Sequence, residues 1–183
     1  MTKNINNAVG IQLKLARKDK GWSLDTAAVH TGVSKAMLGQ IERGESSPTV
    51  ARLWKIASGF HLPLTSFLGT IEDDSLTDNV LNTEQGISVT TLFPFDKITK
   101  SEVLSLILAP SHQQMSSPHN AGVIEHILVI EGEMEYFLEQ QWHPLRAGEV
   151  VKFSANQQHG YRNLSATPAR FHNLICYTDE EKF

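Results

Sequence analysis

Two periodicities divide this 183-residue chain. Over the first third, apolar residues recur at three- and four-residue spacing between capping signals; from Ile87 onward they alternate or gather in short runs. In the first helix Ile11 and Leu15, and less regularly Val9 and Leu13, form an apolar stripe that stops at "KDKG". Ser23 caps a second helix, "LDTAAVHT", with Asp25 in the first turn, where a carboxylate suits the helix dipole. Gly32 ends it. Ser34 caps a third helix, with Val33 and Leu38 placed as a hydrophobic staple. Ser46 to Pro48 reads as a cap followed by Pro at the first position of a fourth helix, which presents Val50, Leu53, Trp54 and Ala57. "LPLTSFLG" closes the unit as a last short turn.

Beyond that point the runs "ISVTTLF", "EVLSLILA", "HILVI", "EMEYFL", "VVKF" and "ARFHNLICY" are separated by Gly, Pro, Ser and Asn. Many short strands with regular breaks predict an antiparallel sandwich or barrel. The intervening 70–86 is acidic, polar and poorly periodic, so it reads as a linker. The expected fold is therefore α + β in two domains: an all-α unit of about five helices over 1–69 and an all-β unit over 87–183.

The third helix has an unusual outer side. Val33, Met37, Leu38 and Ile41 share one face, whereas Lys35, Ala36, Gly39, Gln40 and Arg43 fall on the other. Small residues permit close approach, and the polar ones suit nucleic acid. A Gln amide pairs with adenine N6 and N7, Lys or Arg reaches guanine, and Ala touches a thymine methyl. Charge agrees: residues 1–69 hold nine Lys/Arg against four acids, while the remainder holds seven against sixteen. The single cysteine, Cys176, excludes an intramolecular disulfide framework and multi-cysteine zinc patterns, which points to a cytoplasmic location. The start, "MTKNINNAVGIQ", has no apolar core of signal-peptide length, and no segment approaches the ~18 apolar residues of a membrane span.

Residues from about Val9 to Gly69 resemble the lambda-repressor-like, or XRE, helix-turn-helix family. That resemblance implies a structural ion pair between Arg17 and Glu42. It implies base recognition by Ser34, Lys35, Ala36, Gly39 and Gln40, and phosphate contacts from Ser23, Arg43, Ser46 and Ser47. Arg52 faces either phosphate or solvent.

The stretch from Ser117 to Asn163 resembles the two motifs of the cupin family and implies a jelly-roll-like barrel. In the first motif His119, Glu125 and Gly132 fit, while Ala121 stands where a second His is usual. In the second, Gly148, His159 and Asn163 fit, with Ser154 and Asn156 in place of Pro and Gly. Complete cupin sites hold a divalent metal with three His and one Glu. Here His119, Glu125 and His159 remain, and two His with a carboxylate is an arrangement known for iron. The three can instead contact an organic ligand or form a vestigial polar core. Tyr161 and Arg162 flank the second motif as candidates for an anionic ligand. Strand alternation turns His126 away from the pocket. His30, His61, His112 and His143 read as surface or loop residues. His172, Leu174 and Cys176 are in step, so all face the interior or none does.

Joined, the parts resemble the helix-turn-helix–cupin class of bacterial transcription regulators, in particular the enteric regulators of sulphur utilisation. The class implies a homodimer on a near-palindromic double-stranded DNA operator, with 87–183 as the dimerisation and effector-sensing domain, a small-molecule effector in the barrel, no membrane partner and no catalysis. The alternative is a metal-dependent cupin enzyme, a dioxygenase or isomerase, with an accessory DNA-binding domain.

Overall fold

The computed structural model describes residues 5–68, 80–82 and 86–178. The chain divides into two compact units, Met1–Thr83 and Glu84–Phe183. The linker expected over 70–86 lies outside the described residues except for Gly86 and a three-residue strand, Val80–Asn82 (β1).

The first unit holds four α-helices, α1 (Ile5–Asp19), α2 (Leu24–Thr31), α3 (Lys35–Glu42) and α4 (Val50–Phe60). The expected fifth helix is a single 3-10 turn, Leu64–Phe67, burying Leu64 and Phe67. The apolar stripe of α1 is not the one its spacing suggested. Val9 and Leu13 are fully buried, whereas Ile11 and Leu15 are 57% and 49% exposed. Gly10 explains the rotation: a Cβ there would lie 2.3 Å from the Ile41 carbonyl oxygen, so the backbones of α1 and α3 touch and turn the Val9 side inward. The start of α4 also differs. Thr49, not Ser46 or Ser47, is the cap, accepting from the Arg52 amide at 3.2 Å, and Pro48 precedes it. The helix then buries Val50, Leu53, Trp54, Ile56, Ala57 and Phe60, and each large apolar side chain contributes about 1.5–3 kcal/mol.

Between α2 and α3 the chain turns at Gly32, whose φ of 64° is a left-handed conformation that costs other residues more. Ser23 and Ser34 cap the two helices, accepting from the Thr26 and Met37 amides at 3.0 and 3.3 Å. Val33 and Leu38 are both buried beside this cap.

The second unit is a sandwich of two antiparallel sheets. Its strands are β2 (Ile87–Asp96), β3 (Ser101–Leu108), β4 (Gln113–Ser116), β5 (Val123–Glu131), β6 (Glu133–Leu138), β7 (Gln141–Arg146), β8 (Val150–Ser154), β9 (His159–Arg162) and β10 (Ala169–Tyr177). The long strands of the larger sheet lie in the order β2-β3-β10-β5-β8, and the smaller sheet runs β4-β9-β6-β7. Alternation is regular on β3, where Glu102, Leu104, Leu106 and Leu108 point inward and are buried. Phe171, Asn173 and Ile175 of β10 face the same interior, so His172, Leu174 and Cys176 take the outer face together. Across the sandwich Tyr161 packs on Phe171 at 5.0 Å and Tyr136 is parallel to Phe153 at 6.2 Å.

Candidate functional site

On the helical unit, Ser34, Lys35, Ala36, Gln40 and Arg43 are exposed on one side of α3, whose Leu38 and Ile41 are buried on the other. Gly39 is buried rather than outward. A Cβ there would lie 3.0 Å from Arg43 Nη1 and 3.7 Å from Leu24 Cδ1, so the glycine makes room for the Arg43 side chain to lie across it. Lys35 is held by Asp25 at 2.8 Å and Arg43 by Glu45 at 2.7 Å, all four exposed. Exposed pairs of this kind contribute little stability and exchange readily for another anion.

Beside the start of α3 lies a cleft of about 360 Å³ into which the N-terminal ends of α3 and α4 both open, lined by Ser34, Met37, Thr49, Arg52 and Lys55. Arg52, undecided from sequence, and Lys55, not singled out there, both border it. Ser23 and Ser47 are exposed, whereas Ser46 is half-buried with its hydroxyl 3.7 Å from Met37 Sδ. Arg17 and Glu42 pair as the resemblance implied, through a two-pronged contact of 2.5 and 2.8 Å.

In the barrel the structure brings His119, Glu125 and His159 together. All three are buried, and one nitrogen or oxygen of each lies within 4.8 Å of the others. Glu125 Oε1 faces His119 Nε2 at 3.2 Å and His159 Nε2 at 3.5 Å. Its second oxygen, Oε2, accepts from the Tyr161 hydroxyl and from Asn173 Nδ2 at 2.9 Å. Tyr161 and Asn173 therefore hold the carboxylate so that one oxygen is left for the histidines. Asn173 escaped the sequence reading. Its signal was the two-residue step between Phe171 and Ile175, which decides nothing until the inner face of β10 is known.

Ala121, at the position of the missing histidine, is exposed in a turn and takes no part. His143 is no loop residue: it sits on β7, stacked on Tyr136 at 5.0 Å. Tyr161 enters the site on β9, whereas Arg162 turns away to pair with Glu135 and cover the Trp142 ring at 4.2 Å. His126 faces away, 3.3 Å from the Leu174 carbonyl oxygen.

The electrostatics of the trio follow from burial and from its two imidazoles. Burial opposes ionisation of Glu125, yet the hydrogen bonds and charge of His119 and His159 outweigh it and hold the carboxyl well below its usual range. Burial likewise pulls His159 down, and the Glu125 hydrogen bond and charge more than offset this, leaving it raised. Burial and then the Glu125 charge push Tyr161 well above its ordinary value, so it stays a protonated donor. His159 Nδ1 lies 2.9 Å from the Gln157 carbonyl oxygen and must donate to it. Neutral His159 thus aims a lone pair at a carboxylate oxygen, an arrangement that calls for a proton or a metal cation between them. The donor set fits a divalent cation.

Comparison with known proteins agrees with both units. Residues 13–67 match the helix-turn-helix family and residues 105–176 the cupin domain family. Over 175 residues the chain is 43% identical to the HTH-type transcriptional regulator SutR of Escherichia coli K12, spanning 95% of this chain and 97% of that protein. A crystal structure of an HTH_3 family transcriptional regulator from Vibrio cholerae is similar at a TM-score of 0.87 and 45% identity, covering 96% of this chain and 98% of the other. The cupin domain of an XRE family transcriptional regulator from Enterobacter cloacae matches at 43% identity and a TM-score of 0.51, over 52% of this chain and 100% of its own. Identity of this extent runs through both units, and the chain belongs to the helix-turn-helix transcriptional regulators that carry a cupin domain.

Proposed function

We propose that the protein is a homodimeric, cytoplasmic regulator that reads a near-palindromic operator and whose barrel senses a small effector through a bound divalent cation. The observation that carries the DNA half is the exposed polar side of α3 on a buried apolar one. Lys35, Ala36 and Gln40 enter the major groove, with Ser34 at its edge. Arg43, released from Glu45 and lying over Gly39, joins Ser23, Ser46 and Ser47 on phosphates, and Arg52 and Lys55 add to them. Two such helices, about 34 Å apart, fit half-sites one helical turn apart.

In the barrel, His119 Nε2, His159 Nε2 and Glu125 Oε1 hold the cation, and Tyr161 and Asn173 keep Glu125 oriented. The cation supplies a Lewis-acidic contact for an oxygen-bearing effector. We read the barrel as a sensor rather than a catalyst, because Ala121 leaves the set one ligand short of a complete cupin site. To regulate, the effector must favour the DNA-competent arrangement over the incompetent one, typically by ~1–3 kcal/mol. Selection of bound sequences from random DNA tests the reading. An inverted repeat with half-sites a helical turn apart is expected; failure to enrich any sequence overturns it.

A further inference from the structure

Asn173 uses half of its amide on Glu125. Its Nδ2 donates to Glu125 Oε2 at 2.9 Å, while Oδ1 is buried and has no hydrogen-bond partner among the described residues. The amide cannot be turned the other way, because a carboxylate oxygen needs a donor. A buried acceptor left unmet is costly, so this atom calls for a donor from outside the protein's own side chains.

The smaller sheet adds polar groups at the same place. Across the β4–β9 ladder Gln114 is paired with Tyr161 and Ser116 with His159, and directly opposed side chains leave a sheet on one side. Gln114 and Ser116 therefore stand beside the groups of the site, where a barrel interior ordinarily takes aliphatic residues. Gln114, Ser116 and His119 keep 5–9% exposure, whereas Glu125, His159 and Asn173 keep 1–2%. The approach to the site thus runs along β4, with Asn173 at its inner end. Charge narrows what can enter. A divalent cation held by one carboxylate and two neutral imidazoles leaves a positive charge to be balanced, and among the described residues no Lys or Arg is buried that could attract an anion instead. The other buried acid, Glu102, lies two strands from Glu125 beyond Ile175 and accepts from the Tyr177 hydroxyl.

We propose that the effector is a small carboxylate bearing a hydroxyl or amino group one or two carbons from the carboxylate. Its anionic oxygens meet the cation, and its donor is read by Asn173 Oδ1 with Gln114 and Ser116 alongside. The inference rests on the cation of the preceding section and adds the class of ligand. The short spacer follows from the site: the Glu125 carboxylate and one hydrogen bond separate Oε1 from the Asn173 amide, a span of about 5–7 Å.

Titration calorimetry on the full chain saturated with Mn(II) tests this, with glycolate, 3-hydroxypropionate, glycine and 3-aminopropionate against acetate and propionate. At least one donor-bearing acid is expected to bind at least about tenfold more tightly than the donor-free acid of the same length, and the hydroxy and amino arms identify the donor. In Asn173→Leu saturated with Mn(II), that preference should fall to the one Mn(II) shows in solution. A residue that merely positions Glu125 would weaken cation uptake and leave the preference intact. Gln114→Leu with Ser116→Ala leaves Glu125 and its partners in place, and should shrink the preference at least about fivefold even if Asn173→Leu does not fold. An unchanged preference in either folded variant overturns the assignment. Wild type that takes up Mn(II) yet binds the donor-free acids equally well, or none of the six at about 10 mM, overturns this inference and leaves the cation standing. Wild type that takes up no Mn(II) overturns both.

Discussion

Arg17 on α1 and Glu42 at the end of α3 meet through two parallel hydrogen bonds, 2.5 and 2.8 Å long. A third guanidinium nitrogen of Arg17 donates to the Trp22 carbonyl at 2.9 Å, so one side chain ties α1, the following turn and α3. Both partners are largely buried, at 16% and 7% side-chain exposure. Arg17→Ala leaves the Glu42 carboxylate in place without its partner and should cost about 3 kcal/mol. Urea unfolding followed by tryptophan fluorescence measures it; a loss below about 0.5 kcal/mol, as for an exposed pair, contradicts the assignment.

Two glycines of the same unit should respond oppositely to alanine. Gly10→Ala drives a methyl against the Ile41 backbone and separates α1 from α3, so a loss above about 2 kcal/mol is expected. At Gly39 the obstacle is the flexible tip of Arg43, and Gly39→Ala should be neutral or stabilise by about 0.5–1 kcal/mol. Thermal unfolding of the pair distinguishes these outcomes, and a destabilised Gly39→Ala is the result that contradicts the placement of Arg43.

The elements that sequence reveals best are those whose boundaries carry their own chemistry. Ser23, Gly32 and Ser34 mark α2 and α3 because capping and a left-handed turn are local demands. The strands of the second unit that it misses, β4, β7 and β9, all lie in the smaller sheet, and β9 carries His159 and Tyr161 of the barrel site. "QQMS" turns Gln114 and Ser116 inward, so no apolar alternation exists to be seen. "QWHPLR" contains Pro144, tolerated because β7 is an edge strand. "HGYR" is four residues long and carries Gly160, whose Cβ would lie 2.6 Å from the Gln114 carbonyl oxygen. On β9 the inward positions are taken by His159 and Tyr161 of the site rather than by the aliphatic residues that make strands legible. The rotation of α1 is hidden for another reason: Val9 and Leu13 have the same four-residue spacing as Ile11 and Leu15, and only the packing of α3 against Gly10 decides between them.

Specific operator binding should depend on Gln40 and Lys35 in different ways from Arg52. Gln40→Ala or Lys35→Ala is expected to lose about 1–3 kcal/mol of discrimination at one base position and relax the selected sequence there. Arg52→Ala should weaken binding to all sequences alike and flatten the salt dependence by about one unit of slope. Competition gel shifts over a range of salt read both, and unchanged operator choice in Gln40→Ala and Lys35→Ala contradicts the assignment of α3.

Cation binding should follow the barrel geometry. Glu125→Gln, or His119→Ala with His159→Ala, is expected to abolish stoichiometric uptake of Mn(II) or Zn(II). Tyr161→Phe and Asn173→Leu should weaken it about 10–100-fold by freeing the Glu125 carboxylate. Titration calorimetry on dialysed protein measures this, with operator binding in the absence of effector retained in every variant. Full-strength uptake by Glu125→Gln is incompatible with the proposed ligand set.

The same trio predicts a pH window. The stabilisation from His159, raised above its ordinary 6.5, is present below that value and disappears as pH rises through the raised one. The contribution of Glu125, lowered from its ordinary 4.5, is present above that value and disappears as pH falls through the depressed one. Chelator-treated protein should gain most from this pair between pH 4.5 and 6.5. A bound cation takes the place of the His159 proton, so added metal should remove the alkaline decline. Calorimetry from about pH 4 to about pH 9 checks it; chelated protein whose Tm climbs steadily above pH 7 runs against the prediction.

The position of β10 has a consequence for how the molecule comes into being. It lies between β3 and β5 in the larger sheet, yet among the described residues it is the last strand in chain order. During synthesis the helical unit is complete at Phe67, and the central strand of the barrel ends only at Tyr177. At roughly 5–20 residues per second, the DNA-reading head exists for about 5–20 s before its sensor can close. Each newborn chain is thus briefly a reader without an instrument to govern it, and its first regulated act must wait for β10.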